Sequence, residues 1–446
     1  MNSGIRLRLS VMMFLQYFAW GAWFVTLGSY IGANTGASGN GMFADGFIGR
    51  AYGTAAIGGM IAPFFVGMIA DRFFSTERIL AVLHLLGAGV LFMLSQVDSQ
   101  TTFYFTLIAF FLCYMPTLAL TNSLSFHHLP DPGKQFPGIR VLGTIGWIVA
   151  GLLVGYLRTE QGQIVGLHMT QMFGVNIGLK IGDVTNASSI EVTALPMRIA
   201  AIAQAVLAVF CLVLPHTPPG NKGAKVSARD ILGLDALSLM KERSFAVFVI
   251  GSFLVAIPLQ FYYNYTNFFL NDYGVTEAAA KMSYGQMSEI IFMLLMPLFF
   301  ARLGVKWMLL VGMLAWAARY TLFAFGNSTD LMWMFYGGIL LHGICYDFFF
   351  VTGQIYVDTK ADQRIRGAAQ GFIAFATLGV GSFIGAELSS VVQQQTATPE
   401  GPLALDWQTF WLIPAAGAGV VMILFALLFN ESKAVEQEAV EAATTA

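Results

Sequence analysis

Long apolar segments recur along almost the whole chain, and they constrain its fold more than any other feature. Of the 446 residues, 57% are hydrophobic and 11% are charged, whereas a soluble domain has roughly 25% charged residues. A helix that crosses a bilayer needs about 20 mostly apolar residues. Twelve segments meet this requirement: 8–30, 46–70, 78–97, 101–125, 139–157, 197–214, 244–270, 283–301, 305–325, 330–352, 366–390 and 407–429. The sequence therefore predicts an all-α integral membrane protein with twelve transmembrane helices.

The placement of Lys and Arg predicts the orientation of these helices. The first apolar segment, 8–30, follows Arg6 and Arg8 and is too long for the core of a signal peptide, so we expect it to be a retained span. Basic residues then concentrate in alternate connections, such as 215–243 and 302–306. Because positive charge accumulates on the cytoplasmic side, both termini are expected in the cytoplasm, with the protein in the cell inner membrane.

Two long polar segments divide the chain. Segment 215–243 is rich in proline and basic residues and follows the sixth span, so we predict a cytoplasmic linker there. It separates an N-terminal six-helix half, 1–214, from a C-terminal six-helix half, 244–430, and a cytoplasmic tail follows at 431–446. The second polar segment, 158–197, separates spans five and six and is predicted to be an extracellular insertion. The sequence leaves its role open.

A short basic turn occurs at the same place in each half. Gly67, Asp71 and Arg72 follow the second span, and Arg302 and Lys306 follow the eighth. Parallel repeats of six spans are typical of the major facilitator fold, and the first turn resembles that superfamily's motif between spans two and three. The sequence therefore predicts two pseudo-symmetric six-helix halves with the major facilitator fold.

Enzymatic and metal-dependent functions find no support in the motifs. The chain lacks the nucleotide-binding pattern GxxxxGK[ST]. Its three cysteines, Cys113, Cys211 and Cys345, lie in apolar segments without metal-ligand spacing. A net charge of −2 does not suggest a nucleic-acid partner. We expect a protein that is not an enzyme and that binds no metal or cofactor apart from a coupling proton.

Polar side chains inside the spans are the candidate functional residues, because ionisable groups are costly in a bilayer and usually mark a transport pathway. In span eight, Gln286 and Glu289 are three residues apart and share a helix face. In span ten, His342 and Tyr346 share a face, and Asp347 follows directly. Rings of this kind stack on a flat substrate, and carboxylates hold hydroxyl groups or a proton.

Two further spans complete the candidate set, with Gln260, Tyr263 and Asn264 in span seven and Arg140, Thr144 and Trp147 in span five. Each side chain also has a structural explanation. Hydrogen bonding between helices explains Asn264 and Asn267 equally well, and packing explains His342. An ion pair with Arg140 or Arg319 is the alternative for Glu289.

Several strings of residues, in order from end to end of the chain, resemble bacterial nucleoside–proton symporters. They are Phe14 to Trp23, Thr26 to Tyr30, Tyr114 to Thr117, Arg140 to Gly146, Leu232 to Ala236, Gln286 to Glu289 and Asp406 to Trp411. The chain is identified as a member of this family within the major facilitator superfamily. Two positions depart from the family pattern: Tyr263 stands where asparagine is usual, and His342 stands where tyrosine is usual.

The resemblance implies proton-coupled uptake of nucleosides by alternating access. It implies a substrate site lined by Arg140, Thr144, Trp147, Gln260, Gln286, Glu289 and Tyr346, to which we add Tyr263, Asn264 and His342. Because burial disfavours a charged carboxyl group, Asp347 is the first candidate for the coupling proton and Glu289 the second. The two departures leave the preference for purine or pyrimidine nucleosides open.

A permease for sugars or another small polar solute, proton-coupled or facilitative, is the main alternative. Sugar sites also use amides and aromatic rings, whereas the amides of spans seven and eight argue against an apolar multidrug cavity. The expected partners are a nucleoside and the lipid bilayer, without nucleic acid, and a monomer is the expected state.

Overall fold

The computed structural model describes residues 3–36, 41–65, 74–219, 234–362, 365–399 and 401–431, with positions 435, 437 and 439. The predicted turn motif at Gly67, Asp71 and Arg72 lies outside the described residues. So do residues 220–233 of the predicted linker and most of the predicted tail.

Every predicted span has helical residues in the described part of the chain. The helices are α1 (Ser3–Gly21), α2 (Leu27–Ala33), α3 (Phe47–Phe65), α4 (Thr76–Leu94), α5 (Gln100–His128), α6 (Pro132–Tyr156), α7 (Leu195–Cys211), α8 (Arg243–Asp272), α9 (Ala278–Phe325), α10 (Met332–Lys360), α11 (Arg366–Gln395) and α12 (Trp407–Leu428). Among the described residues, eight of these helices are long and apolar enough to cross a membrane, and α7 is a shorter apolar helix. The short 3-10 helices Ile190–Val192 and Leu234–Lys241 precede α7 and α8.

The first predicted span is broken where the sequence suggested one continuous helix. Helix α1 ends at Gly21 and α2 begins at Leu27, with turns between them. In this break the Thr26 hydroxyl donates a hydrogen bond to the Trp23 carbonyl at 3.1 Å. Ser and Thr hydroxyls compete for backbone carbonyls in this way and often bend helices.

Predicted spans eight and nine form the single 48-residue stretch α9, which is interrupted at Gly304. This glycine has φ 66° and ψ 179°, a conformation that does not belong to a helix. Glycine has no Cβ and adopts positive φ readily. The break lies in the short basic turn between Arg302 and Lys306, where the sequence separates the two spans.

The segment after α6 forms a four-stranded antiparallel sheet, an element that the all-α prediction did not include. Its strands are β1 (Leu157–Glu160), β2 (Gln163–Met172), β3 (Val175–Gly182) and β4 (Ser188–Ser189), in the order β3-β2-β1-β4. Two short strands, β5 (Ala397–Thr398) and β6 (Gly401–Leu405), precede α12. Alternating apolar residues on β3 gave a period-two signal for a strand: Val175, Ile177, Leu179 and Ile181.

The chain divides into two compact units. Unit 1 comprises Met1–Ala224, Tyr263–Ser283 and Glu400–Leu403, and unit 2 comprises Lys225–Tyr262, Tyr284–Pro399 and Ala404–Ala446. Unit 1 therefore includes the end of α8 and the start of α9. The predicted boundaries of the halves, the linker and the tail stay a prediction.

In unit 1, α1 and α6 approach each other closely. An added Cβ at Gly146 would lie 2.2 Å from the carbonyl oxygen of Phe14, and small residues allow such contacts between membrane helices. A buried apolar cluster surrounds α1, with residues from α1, α4, α5, α6 and α7: Leu9, Met12, Met13, Leu80, Leu83, Leu120, Leu124, Ile139 and Leu207. This packing fixes the helix that carries Arg140, Thr144 and Trp147.

In unit 2, buried aromatic rings join α8, α9 and α12. Tyr320 stacks on Trp411 with ring centroids 5.7 Å apart, and Phe323 packs against the same Trp411 at 5.2 Å. The Tyr320 hydroxyl donates to the Pro258 carbonyl at 2.7 Å. Buried tyrosines usually find such a partner, and this bond ties α9 to α8 beside the polar residues of both helices.

Candidate functional site

The candidate residues of α6 lie against aromatic rings of α1, within unit 1. The Arg140 guanidinium lies 4.1 Å from the centre of the Tyr17 ring, a cation–π geometry. Trp147 packs edge-on against Trp20, with ring centroids 5.4 Å apart. Arg140, Thr144 and Trp147 are all half-buried. Helix α6 thus offers a positively charged group and an indole ring that are both held in place by neighbouring rings.

The polar residues of α8 do not share one environment. Within unit 1, Asn264 is buried and Tyr263 half-buried. Asn267 accepts a hydrogen bond from the Ser29 hydroxyl at 2.6 Å and donates to Glu191 at 2.8 Å. Both amide atoms of Asn267 are therefore used between elements, which favours the structural explanation for this residue.

In unit 2, α9 and α10 bring Glu289 and His342 together. Glu289 Oε2 lies 3.8 Å from His342 Nε2, and the two side chains are 13% and 5% exposed. Ser288 supports this contact, because its hydroxyl donates to the Leu340 carbonyl at 2.8 Å and accepts from the Gly343 amide at 3.1 Å. Glu289 of span eight and His342 of span ten, both candidate residues from the sequence, are therefore in contact.

Arg319 is held by other contacts of unit 2. Its Nε donates to the Gly338 carbonyl at 2.8 Å, and its guanidinium lies 3.7 Å from the centre of the Tyr262 ring. Tyr262 in turn stacks on His342 with centroids 5.4 Å apart. A chain of contacts thus leads from Arg319 through Tyr262 to the histidine beside Glu289.

Asp347 has the most unusual environment of the candidate residues. It is fully buried, and neither carboxylate oxygen has a hydrogen-bond partner in the described structure. It lies in the π-helical turn Tyr346–Val351, within α10. Such turns are rare and often occur at functional sites, and a buried carboxyl group without partners strongly favours its neutral form.

The remaining candidates of unit 2 lie on α8, α9 and α10. The Gln260 amide donates to the Ser382 hydroxyl at 2.9 Å, so one of its donors contacts α11. Tyr346 lies between His342 and Phe350, with centroid distances of 6.1 and 5.4 Å. Gln286 and Tyr346 are half-buried. An amide, an aromatic ring and an acid are thus available on neighbouring helices of unit 2.

Among the residues that the structure describes, no group of three or more His, Cys, Asp or Glu is placed to hold a metal ion. The candidate side chains described above can form hydrogen bonds, stack on rings and bind protons.

Comparison with known proteins identifies the class of protein to which this chain belongs. The model of the nucleoside H⁺ symporter family matches residues 3–173 and 165–434, which together cover nearly all of the sequence. The chain therefore belongs to the nucleoside H⁺ symporter family, as the sequence motifs indicated.

Relatives from Escherichia coli match over almost their full length. The nucleoside permease NupG of Escherichia coli K12 is 31% identical over 446 residues, covering 96% of each chain. The xanthosine permease of the same organism is 33% identical over 436 residues, covering 94% of this chain and 95% of the permease. The E. coli protein YegT is 40% identical over 430 residues, covering 95% of this chain and 94% of YegT.

Solved structures confirm the predicted fold class. The crystal structure of NupG matches with a TM-score of 0.79 and 30% identity, covering 97% of this chain and 100% of NupG. The POT family transporter PepTSo matches with a TM-score of 0.68 at 14% identity, a likeness of fold alone. The protein is a multi-pass helical membrane protein with the major facilitator fold.

Among the described residues, two fully buried charged residues did not enter the predicted site set. Arg319 is fully buried in α9, and its position inside a span was a signal in itself, because ionisable residues there usually have a role. Glu191 is also fully buried, although it lies in the predicted polar insertion. Nothing in its local sequence separated it from a solvated loop residue.

Proposed function

We propose that this chain takes up nucleosides together with protons across the bacterial cytoplasmic membrane by alternating access. The observation that carries the proposal is Asp347, a fully buried carboxyl group without a hydrogen-bond partner in the described structure, in a member of the nucleoside H⁺ symporter family. It directly follows Tyr346, a candidate substrate residue. The proposed proton-binding residue and a proposed substrate-binding residue are therefore neighbours in α10.

Recognition of a nucleoside requires a ring contact, a reader of the base edge and a partner for the ribose. We infer that Trp147 and Tyr346 stack on the base, and that Gln260 and Gln286 bond to its edge. Glu289 and Arg140 are assigned to the ribose hydroxyls. A polar group left unpaired in a dry site costs about 1–3 kcal/mol, which is how such a site rejects other solutes. Thr144, Tyr263, Asn264 and His342 complete the proposed lining.

Asp347 is proposed to carry the coupling proton, with Glu289 as the second candidate. A neutral carboxyl group tolerates the buried position, whereas the ionised form requires solvent or a partner. Exposure of Asp347 to one side and then the other would load and release the proton. No other cofactor is proposed, and we infer a transport role without catalysis.

The remaining features of the proposal follow from composition and family. We infer that both termini face the cytoplasm, because the basic residues concentrate in the same set of connections. We also infer a monomer in the inner membrane whose partners are the nucleoside and the lipid bilayer.

Uptake by the purified protein in proteoliposomes tests the proposal. Labelled uridine and adenosine are each supplied with an inward proton gradient, with and without a protonophore. We expect accumulation above the external concentration that the protonophore abolishes. Accumulation that persists when the proton gradient is removed would contradict proton coupling.

Competition in the same assay separates nucleosides from sugars. Unlabelled nucleosides are expected to reduce labelled uptake, whereas free bases and hexoses at the same concentration leave it unchanged. Reduction by hexoses but not by nucleosides would favour the sugar permease over the nucleoside symporter.

A further inference from the structure

The sheet that follows α6 holds the end of α8 and the start of α9, all within unit 1. We call strands β1–β4 with the 3-10 turn Ile190–Val192 the clasp. Glu277, in the connection between α8 and α9, accepts hydrogen bonds from the Thr170 and Gln171 amides of β2, at the irregular register of that strand. At the other end of the clasp, Glu191 binds α8 and α9 directly. The insertion thus has a structural task that its sequence did not reveal.

Glu191 is the centre of the second contact. Its Oε2 accepts hydrogen bonds from Asn267 Nδ2 at 2.8 Å, Asn271 Nδ2 at 3.2 Å and the Ala279 amide at 3.1 Å. Its Oε1 is buried without a hydrogen-bond partner in the described structure. In an ionised carboxylate both oxygens carry the negative charge. A buried oxygen without a partner costs more free energy when it is charged than when it belongs to a neutral carboxyl group, so the burial of Oε1 favours the neutral form.

The cations around Glu191 have other partners. Arg158 on β1 lies 3.5 Å from a Glu277 oxygen and donates to the Gly155 carbonyl at 2.8 Å. Lys281 on α9 donates to the backbone carbonyl of Thr276. Burial raises the pKa of the Glu191 carboxyl group, and the two amides, the Ala279 N–H and the charge of Arg158 offset this only in part.

The other elements packed against the turn Ile190–Val192 bring few further titratable groups. They are α2, α6 and α7. Helix α2 carries Tyr30, α6 ends at Tyr156 and Arg198 lies in the first turn of α7, whereas Lys134 and Arg140 lie towards the other end of α6. Arg198 lies near Tyr30 and donates to the Ser95 hydroxyl at 3.4 Å. Arg198 therefore has a hydrogen-bond partner on another helix.

We propose that Glu191 is a second proton-binding site, which sets how readily the clasp closes on α8 and α9 from the extracellular side. The proposal rests on the proposed orientation of the chain. It gives the insertion a role in pH regulation that is separate from the coupling proton of Asp347.

The direction of the effect follows from linkage. In the closed clasp the pKa of Glu191 is raised, whereas a solvated Glu191 in an open clasp has its ordinary pKa. The closed clasp therefore binds the proton more tightly, so acid stabilises it, and this stabilisation is lost as pH rises through the raised pKa. Acid outside thus favours closure of this side of the protein.

Glu277 provides the matched control. Both of its oxygens accept backbone hydrogen bonds, and Arg158 lies beside it, so neither oxygen lacks a partner as Oε1 of Glu191 does. Glu277→Gln is expected to loosen the clasp to the same extent at every pH. Glu191→Gln places a permanently neutral group at the other contact and is expected to remove the pH dependence.

Accessibility of a buried cysteine measures the opening without any substrate. Ser283 on α9 is 2% exposed, and its hydroxyl lies against Gly151 of α6, where an added Cβ would approach it to 2.1 Å. The nearly isosteric Ser283→Cys is made in a background where Cys113, Cys211 and Cys345 are alanine. A membrane-impermeant thiol reagent is added outside intact cells across a pH series.

At each pH, the labelling rate of the reporter protein with native Glu191 is divided by the rate of the same protein with Glu191→Gln. Both proteins carry the same reporter cysteine, so the pH dependence of the thiol's own reactivity cancels. We expect this ratio to rise by about threefold or more from the acidic to the alkaline end, since one titrating group changes closure by up to tenfold per pH unit. A ratio that does not change with pH overturns the proposal. The proposal is also overturned if the labelling rate with Glu277, divided by the rate with Glu277→Gln, changes with pH to the same extent.

A second measurement tests the proposal even if the Ser283→Cys reporter protein fails to fold. Nucleoside exchange at equal pH on both sides is followed in the protein with native cysteines, with and without Glu191→Gln. The variant is expected to keep exchange at acidic pH and to show a flatter profile towards alkaline pH, whereas parallel profiles count against Glu191. Absence of nucleoside exchange with normal cysteine labelling would instead contradict the proposed function and leave the clasp intact.

Discussion

The candidate residues of α6 and those of α10 contrast in how they are held. Arg140 and Trp147 each lie against an aromatic ring of α1, so their positions are fixed before any substrate arrives. Asp347 is buried without a hydrogen-bond partner in the described structure. The first arrangement favours recognition of a rigid, flat substrate, whereas the second leaves a carboxyl group free to gain and lose a proton. If α6 binds the substrate and Asp347 carries the proton, as proposed, variants at the two places should give different kinds of defect.

Asp347→Asn is expected to give the largest effect. The asparagine is neutral at every pH, so it carries no proton, and uphill accumulation should disappear while exchange of labelled nucleoside continues. One charge moving through about 100 mV supplies about 2.3 kcal/mol, which corresponds to about fiftyfold accumulation. Uptake and exchange are measured in proteoliposomes.

Glu387→Gln in α11 serves as the matched control for Asp347→Asn, because Glu387 is a half-buried acidic residue of a neighbouring span that is not part of the proposed site. It should retain uphill uptake. Uphill uptake that survives in Asp347→Asn would transfer the coupling role to Glu289.

Glu289→Gln is expected to give the next largest effect, mainly on binding. The variant removes the charge beside His342 and the charge-assisted bond to the substrate, worth about 1.5–3 kcal/mol, so KM should rise about 10- to 100-fold. KM from initial rates of uptake is the measurement. Glu242→Gln, at an ion pair of unit 2 where Glu242 is 52% exposed, should leave KM unchanged. An unchanged KM in Glu289→Gln would remove this residue from the binding site.

Arg140→Lys should have a smaller effect. Lysine keeps the charge but lacks the planar guanidinium that lies on Tyr17, so a loss of about 1 kcal/mol is expected, or about a fivefold rise in KM. Tyr17→Leu should reproduce this rise and Tyr17→Phe should not. If Tyr17→Leu has no effect, the ring does not position Arg140.

His342→Tyr is expected to have the smallest effect on rate and a visible effect on selectivity. Tyrosine is the residue that the family pattern leads us to expect there, so uptake should stay within about threefold of the original, while the ratio of purine to pyrimidine uptake changes. His342→Phe separates the hydroxyl from the ring. The same ratio in all three proteins would show that position 342 does not read the base.

Some contacts among the candidate residues could be predicted because their signals are local. Gln286 with Glu289, and His342 with Tyr346, were placed on common faces by spacing alone, and the structure brings Glu289 and His342 within 3.8 Å. The break at Gly304 was also visible as a glycine in a short basic turn. The partner of Glu289 was not predictable, since Arg319 and Arg140 were equally reasonable candidates from sequence.

The clasp shows where sequence reasoning ended. Val175, Ile177, Leu179 and Ile181 alternate as in a strand, yet residues 158–197 gave no indication of what such a sheet would contact. The burial of Glu191 is explained only by hydrogen-bond donors that lie far away in the sequence. Asn267 is 76 residues from Glu191, and Ala279 is 88 residues from it.

The sequence by itself determined the membrane class, the number of spans, the polar residues inside them and the family, because hydropathy, helical spacing and motifs are properties of neighbouring residues. Only the tertiary structure decided which carboxyl groups are satisfied and which are not. Glu277 obtains backbone donors and an arginine, Glu191 obtains donors on one oxygen only, and Asp347 obtains none in the described structure. These differences depend on burial and on hydrogen-bond donors that folding brings from distant segments, and no local pattern encodes them.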